Sequence, residues 1–312
     1  MSSYNEKILT ITPAPHIHSG LTVRRVMLDV IISLLPAVCA AIYFFGTKSA
    51  LVIAVSIAAA VISEYIWQKY IVKTAVTISD MSAALTGLLL ALTLPPGLPL
   101  WQAAIGSVFA VIFSKQIFGG LGHNPFNPAL IGRAFLQIAW PLQMTSWIPP
   151  VNAVTSATPL AALKYQIADS IPTIKDLFIG NVSGSLGETS AAALLAGALY
   201  LILRRHIKVM IPLSYLAVVA LISALAGHNV AYQLFAGGLI LGAFFMATDP
   251  VTAPSTFAGT LIFGAGCGLL TALIRFWGGF PEGVCFSILI MNITVPLIDR
   301  WTIPRPFGYR KK

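Results

Sequence analysis

The sequence predicts an all-α polytopic membrane protein, with about 10 transmembrane helices arranged as two five-helix inverted repeats with broken helices. Three observations carry that expectation. The chain of 312 residues is 57% hydrophobic and only 9% charged, whereas soluble domains run about 25% charged. Apolar stretches near the roughly 20 residues that a bilayer helix needs follow one another along almost the whole chain. Two of them end in proline-rich breakers at corresponding places.

The apolar spans lie at approximately 26–45, 50–68, 81–94, 101–119, 126–142, 188–203, 207–226, 230–247, 256–275 and 281–299. The third ends at Leu94-Pro95-Pro96-Gly97-Leu98-Pro99, which no continuous helix accommodates. The eighth ends in the comparable run Ala247-Thr248-Asp249-Pro250-Val251-Thr252-Ala253-Pro254. Leu85–Ala91 aligns with Ala236–Gly242, and Gln116–Gly120 with Arg275–Gly279. Five spans per half is an odd number, so the halves insert in opposite senses. Inverted repeats with broken helices place a binding site or conduction path where the breaks meet. The competing explanation is chance likeness between Gly/Leu-rich helices.

Basic residues set the orientation. Lys7, Arg24, Arg25, Lys69, Lys73, Arg204, Arg205, Lys208, Arg300, Arg305, Arg310, Lys311 and Lys312 fall on the N-terminal side, against Lys48, Lys164, Lys175 and Arg275 opposite. That asymmetry puts both termini in the cytoplasm. It divides the chain into a cytoplasmic arm (1–25), a first membrane repeat (26–142), an external loop (143–187), a second repeat (188–299) and a basic cytoplasmic tail (300–312). The net charge of +9 therefore reads as topology and not as nucleic-acid binding. The polar Met1–Gly20 segment has no basic-then-apolar signal pattern, so no removable signal peptide is expected. Cys39, Cys267 and Cys285 stand apart in apolar stretches, which argues against iron–sulfur or zinc ligation by this chain alone. No strand-linked G-x-G-x-x-G occurs, so a dinucleotide has to bind a partner.

The polar interruption Met144–Leu163 holds Thr155, Ser156 and Thr158 between Pro149-Pro150 and Pro159. Such a segment cannot face lipid. Thr158 either carries a phosphoester made by another enzyme or caps a short helix begun by Pro159. Gly119–Pro128, with Asn124 and Asn127 each before a proline, lines a ligand or forms a tight re-entrant turn. Asp249 follows an apolar run, where an ionisable group defaults to a functional reading. Lys115 and Arg133 are the basic residues within spans, available to Asp249, Glu282 or a ligand anion. Asp29, Glu64 and Asp299 are expected at the interface, and His16 and His18 in a solvated arm.

The segments GGLGHNPFNP (Gly119–Pro128), QMTSWIPP (Gln143–Pro150), Thr155–Thr158 and FMATDPVTAP (Phe245–Pro254) occur in the same order in the NqrB/RnfD family. The chain resembles that family, the D subunit of the Rnf complex in particular, over nearly its whole length. The resemblance implies an integral subunit of a bacterial plasma-membrane complex that passes electrons between ferredoxin and NAD and couples this to translocation of Na+ or H+. It implies FMN joined by a phosphoester to a threonine ending an Asp-x-x-Ser-Gly-Ala-Thr element, which corresponds to Thr158. Here Asn152 replaces the aspartate and Thr155-Ser156 the Ser-Gly pair, which makes Thr155 and Ser156 secondary attachment candidates. It further implies a flavin transferase, other Rnf subunits as partners, and a second, non-covalent flavin of the riboflavin type near the breakers. Asn124, Asn127, Thr248 and Asp249 are then expected along the path between the half-repeats. The rival from another class is a non-redox solute channel or transporter of the same architecture.

Overall fold

The computed structural model describes residues 21–147, 157–165 and 171–304. Among them the chain is helical throughout, without a strand. In order the helices are α1 (Val23–Phe45), α2 (Thr47–Ile66), α3 (Ser82–Leu92), α4 (Leu100–Val111), α5 (Pro128–Ala139), α6 (Pro141–Met144), α7 (Pro159–Lys164), α8 (Ile174–Ile179), α9 (Ala191–Leu203), α10 (Met210–Leu225), α11 (Val230–Phe235), α12 (Leu239–Leu241), α13 (Phe257–Trp277) and α14 (Val284–Thr302). Three π-helical turns, Trp67–Val72, Ile112–Gln116 and Gly242–Met246, continue α2, α4 and α12.

Every span drawn from the sequence contains a helix, but their lengths differ. Val23–Phe45, Thr47–Val72, Phe257–Trp277 and Val284–Thr302 are long and apolar enough to cross a bilayer. Others are about half that length; α5, at 12 residues, extends about 18 Å. The eighth span is interrupted well before its expected end. Ala236, Gly237 and Gly238 separate α11 from α12, because Gly237 adopts a left-handed φ of 70°.

The same packing scheme occurs in each half. In the first, α2 packs on α3 and α4, and α4 on α5; in the second, α10 packs on α11 and α13, and α13 on α14. The halves meet where α1 lies along α9 and α5 touches α14. Small residues allow these approaches, as is common between membrane helices. A Cβ on Gly197 of α9 would stand 1.9 Å from the Ser33 carbonyl oxygen of α1. Apolar side chains such as Ile62, Leu199, Leu221 and Ile293 are more than half exposed on helix flanks. In water such a surface would be costly, whereas lipid accepts it.

Candidate functional site

Two sites form along α5. At its N-terminus Asn127 caps the helix, its Oδ1 accepting from Ala129 N–H at 3.1 Å. Its Nδ2 donates to the Met246 carbonyl at 3.2 Å, tying the Gly119–Pro128 turn to the breaker of the second half. Asn124, Asn127, Thr248 and Asp249 line one cavity of about 90 Å³, together with Lys115 and His206. Its remaining walls are apolar, among them Met27, Leu85, Leu89, Phe244 and Phe245.

Within this cavity the four predicted residues differ in what they have left to offer. Thr248 donates back to Phe244 O at 2.6 Å. The Asp249 carboxylate accepts from Val251 N–H and Thr252 Oγ1 and has no basic partner among the described residues. Asn127 is engaged at both ends of its amide. Asn124 donates through Nδ2 to Phe126 O at 3.1 Å, while its buried Oδ1 has no hydrogen-bond partner. A buried amide oxygen without a donor calls for a water or a ligand.

Lys115 did not find the partners expected of it. It is 1% exposed, and instead of Asp249 or Glu282 it pairs with Glu64, its Nζ 2.8 Å from Oε2. Glu64, expected at the interface, is instead fully buried in α2. A lysine this deep needs a carboxylate, and α2 supplies it. Asp29 is also interior, 5% exposed, held by Arg204 at 2.8 Å and by His206. Asp299 accepts from Ser255.

Farther along α5, at its middle, the second centre forms on Arg133. One guanidinium nitrogen donates to Glu188 Oε1 at 2.8 Å and to the Thr93 carbonyl at 2.9 Å; the other donates to Glu282. The Glu282 partnership was among those foreseen, whereas Glu188 was read only as the start of an apolar span. The signal for it was a lone carboxylate at that start, after Gly187. The loop that carries Glu188 also repairs the break after α3: Gly187 N–H donates to Leu92 O and Leu186 N–H to Leu94 O. Arg275 does the same for the second break, donating to the carbonyls of Gln233, Ala236 and Glu282. It is 4% exposed, so it belongs to the interior and not to the loop charges.

Thr158 stands over this centre. Its Oγ1 accepts from Ala161 N–H at 3.2 Å, with Pro159 at the first helical position, so the side chain caps α7. It borders a cavity of about 60 Å³ walled by Trp147, Phe280, Phe286 and Arg133, and a smaller one of about 10 Å³ shared with Glu188 and Glu282. The smaller has room for one water, next to the partnerless Glu188 Oε2 and Thr189 Oγ1. Thr155 and Ser156 lie outside the described residues. The Thr158 cavities share no lining residue with the Asn124 cavity.

Known proteins resemble the chain from end to end. The pattern of the NQR2, RnfD, RnfE family matches residues 10–308. The D subunit of the Na(+)-translocating ferredoxin:NAD(+) oxidoreductase complex of Acetobacterium woodii is 46% identical over 98% of both chains. Its counterpart in the proton-translocating ferredoxin:NAD(+) oxidoreductase complex of Clostridium ljungdahlii is 43% identical over 98% of both. The D subunit of the ion-translocating oxidoreductase complex of Escherichia coli (strain SE11) is 38% identical over 97% of this chain and 99% of its own.

Proposed function

The chain belongs to the NQR2, RnfD, RnfE family, and from that membership we propose that it is the membrane flavoprotein subunit of an Rnf-type complex. It acts as one subunit of an oxidoreductase that couples ferredoxin:NAD electron transfer to ion movement, with the other Rnf subunits as partners and NAD bound on one of them. The observation that carries this is the near-complete coverage of three such D subunits. Their names divide between Na+ and H+ at nearly equal similarity, so likeness alone does not choose the ion.

The proposal extends to FMN, esterified to Thr158 by a flavin transferase. The residues at Thr158 fit an anchoring point: a hydroxyl oxygen on the wall of a cavity faced by Trp147, Phe280 and Phe286. At about 60 Å³ the cavity cannot enclose a tricyclic ring, so the support is for attachment and not for a closed ring pocket. The flavin supplies one- and two-electron redox chemistry when bound. The protein holds its tether at a fixed position, on the cap of α7.

A second, non-covalent flavin is assigned by the same reading to the Asn124 cavity. Its largely apolar walls and the free Asn124 Oδ1 suit the polar edge of a flat heteroaromatic ligand; at about 90 Å³ it, too, does not enclose a tricyclic ring as it stands. The recurrent packing of the halves supports inverted repeats, and the basic arm and tail support a cytoplasmic location for both termini, with Thr158 outside. Against the channel rival stand the three D subunits that the chain matches, each named as part of an oxidoreductase complex.

In-gel fluorescence of the denatured protein, produced together with its flavin transferase, tests the attachment. Covalent fluorescence present in the wild type and absent from Thr158→Ala is expected. Fluorescence that persists in the variant sinks the assignment.

A further inference from the structure

His206 follows α9 and is a wall of the Asn124 cavity, yet neither its spacing nor any motif singled it out. Its Nε2 stands 2.6 Å from Asp29 Oδ2. Asp29 is fixed in turn by Arg204 at 2.8 Å and by the Tyr200 hydroxyl at 3.0 Å. Only 6% of the His206 side chain is exposed. A carboxylate on one ring nitrogen puts the Nε2 proton on the Asp29 side and fixes the tautomer and orientation of the ring. Nδ1 is then the nitrogen left to exchange a proton. The charged groups sharing the cavity are Lys115 and Asp249 across from it. Lys115 is engaged with Glu64 and Ser82, and Asp249 with its own turn. His206 is therefore the titratable wall residue with an uncommitted ring nitrogen.

We propose that His206, through Nδ1, is the proton-exchanging residue of this cavity, and that Asp29 is its positioning residue. The proposal rests on the reading that a redox-active heteroaromatic ligand of the flavin class binds there. When an electron from the complex's other redox centres reduces a ligand in the cavity, the protonated ring passes its Nδ1 proton to the reduced ligand and the added negative charge is neutralised. The Nε2–H···Asp29 hydrogen bond persists through this step, so the ring keeps its orientation. When the electron leaves, the ligand returns the proton to Nδ1. One electron and one proton enter and leave together.

The test uses the purified, assembled complex. Non-covalent flavin is released by denaturation and quantified, and the redox-induced infrared difference spectrum of the native complex is recorded against pH. The expected result is equal flavin content in wild type and His206→Gln, with imidazole protonation bands in the wild-type spectrum only. In Asp29→Asn the bands remain but move in frequency, because the Nε2–H no longer donates to a carboxylate. Flavin present in both proteins with identical difference spectra overturns the role of His206 and leaves the cavity reading intact. Absence of non-covalent flavin from the wild type overturns both. If His206→Gln does not assemble, Asp29→Asn decides: a difference spectrum identical to the wild type overturns the proposal.

Discussion

Arg133 of α5 and Glu282, which lies just before α14, form a hydrogen-bonded ion pair between side chains 149 positions apart. The same guanidinium holds Glu188 and the broken end of α3. One cation thus joins three separate segments and both halves of the chain. Removing one member of a buried pair costs about 3–5 kcal/mol, because the remaining charge is left uncompensated. Arg133→Ala strands two carboxylates and is expected to lose most of its assembled protein. Glu282→Gln keeps an acceptor for the guanidinium and is expected to retain most of it. Thermal unfolding of the purified complexes ranks the two, and the reverse order refutes the argument.

Glu64 and Lys115 give a sharper case, since both are almost completely buried. Lys115→Met alone leaves a buried carboxylate and is expected to destabilise by about 3–5 kcal/mol. Pairing it with Glu64→Leu removes both charges and is expected to recover most of that loss. A double-mutant cycle read by unfolding midpoint measures the coupling.

Thr158 has two separable duties. As the cap of α7 it contributes about 0.5–2 kcal/mol relative to alanine; as an attachment point it needs a hydroxyl. Thr158→Asn keeps a capping oxygen but offers nothing to esterify. It is expected to unfold at the wild-type temperature and to carry no covalent flavin, whereas Thr158→Ala loses on both counts. Covalent fluorescence from Thr158→Asn would move the attachment elsewhere.

Gly197 and Gly238 are held by space. A Cβ at Gly238 would come within 2.3 Å of Glu188 Oε1, and one at Gly197 within 1.9 Å of Ser33 O. Gly197→Ala has to push a pair of backbones apart and is expected to cost about 1–3 kcal/mol. Gly238→Ala moves a carboxylate and is expected to perturb the Arg133 centre as well. Comparing each unfolding midpoint with that of Gly279→Ala, where a Cβ meets open space, separates packing from propensity.

Asn124 is the cavity residue with an acceptor to spare. Asn124→Leu is expected to lower non-covalent flavin content while leaving the fluorescence at Thr158 unchanged. Loss of both together would mean that the substitution disturbs assembly and not a ligand contact.

The helical, lipid-facing character of the chain was legible in its residues, because apolar runs of bilayer length are a local property. So was one place where helices stop: Pro95-Pro96 breaks the backbone wherever it stands, and Thr158-Pro159 starts a helix by its own chemistry, whereas the break at Gly237-Gly238 fell inside the eighth span. Partners were another matter. Lys115 was open to several carboxylates and found Glu64, since the α2–α4 packing brings their side chains together. Glu188 looked like the head of a span until the fold carried its loop to the end of α3 and beside Arg133. His206 had no signal, because an Asp–His pair separated by 177 positions is made only when α1 lies along α9. Backbone breaks are decided by neighbouring residues, whereas the partner of a buried charge is decided by which helices pack, and that is a property of the folded chain as a whole.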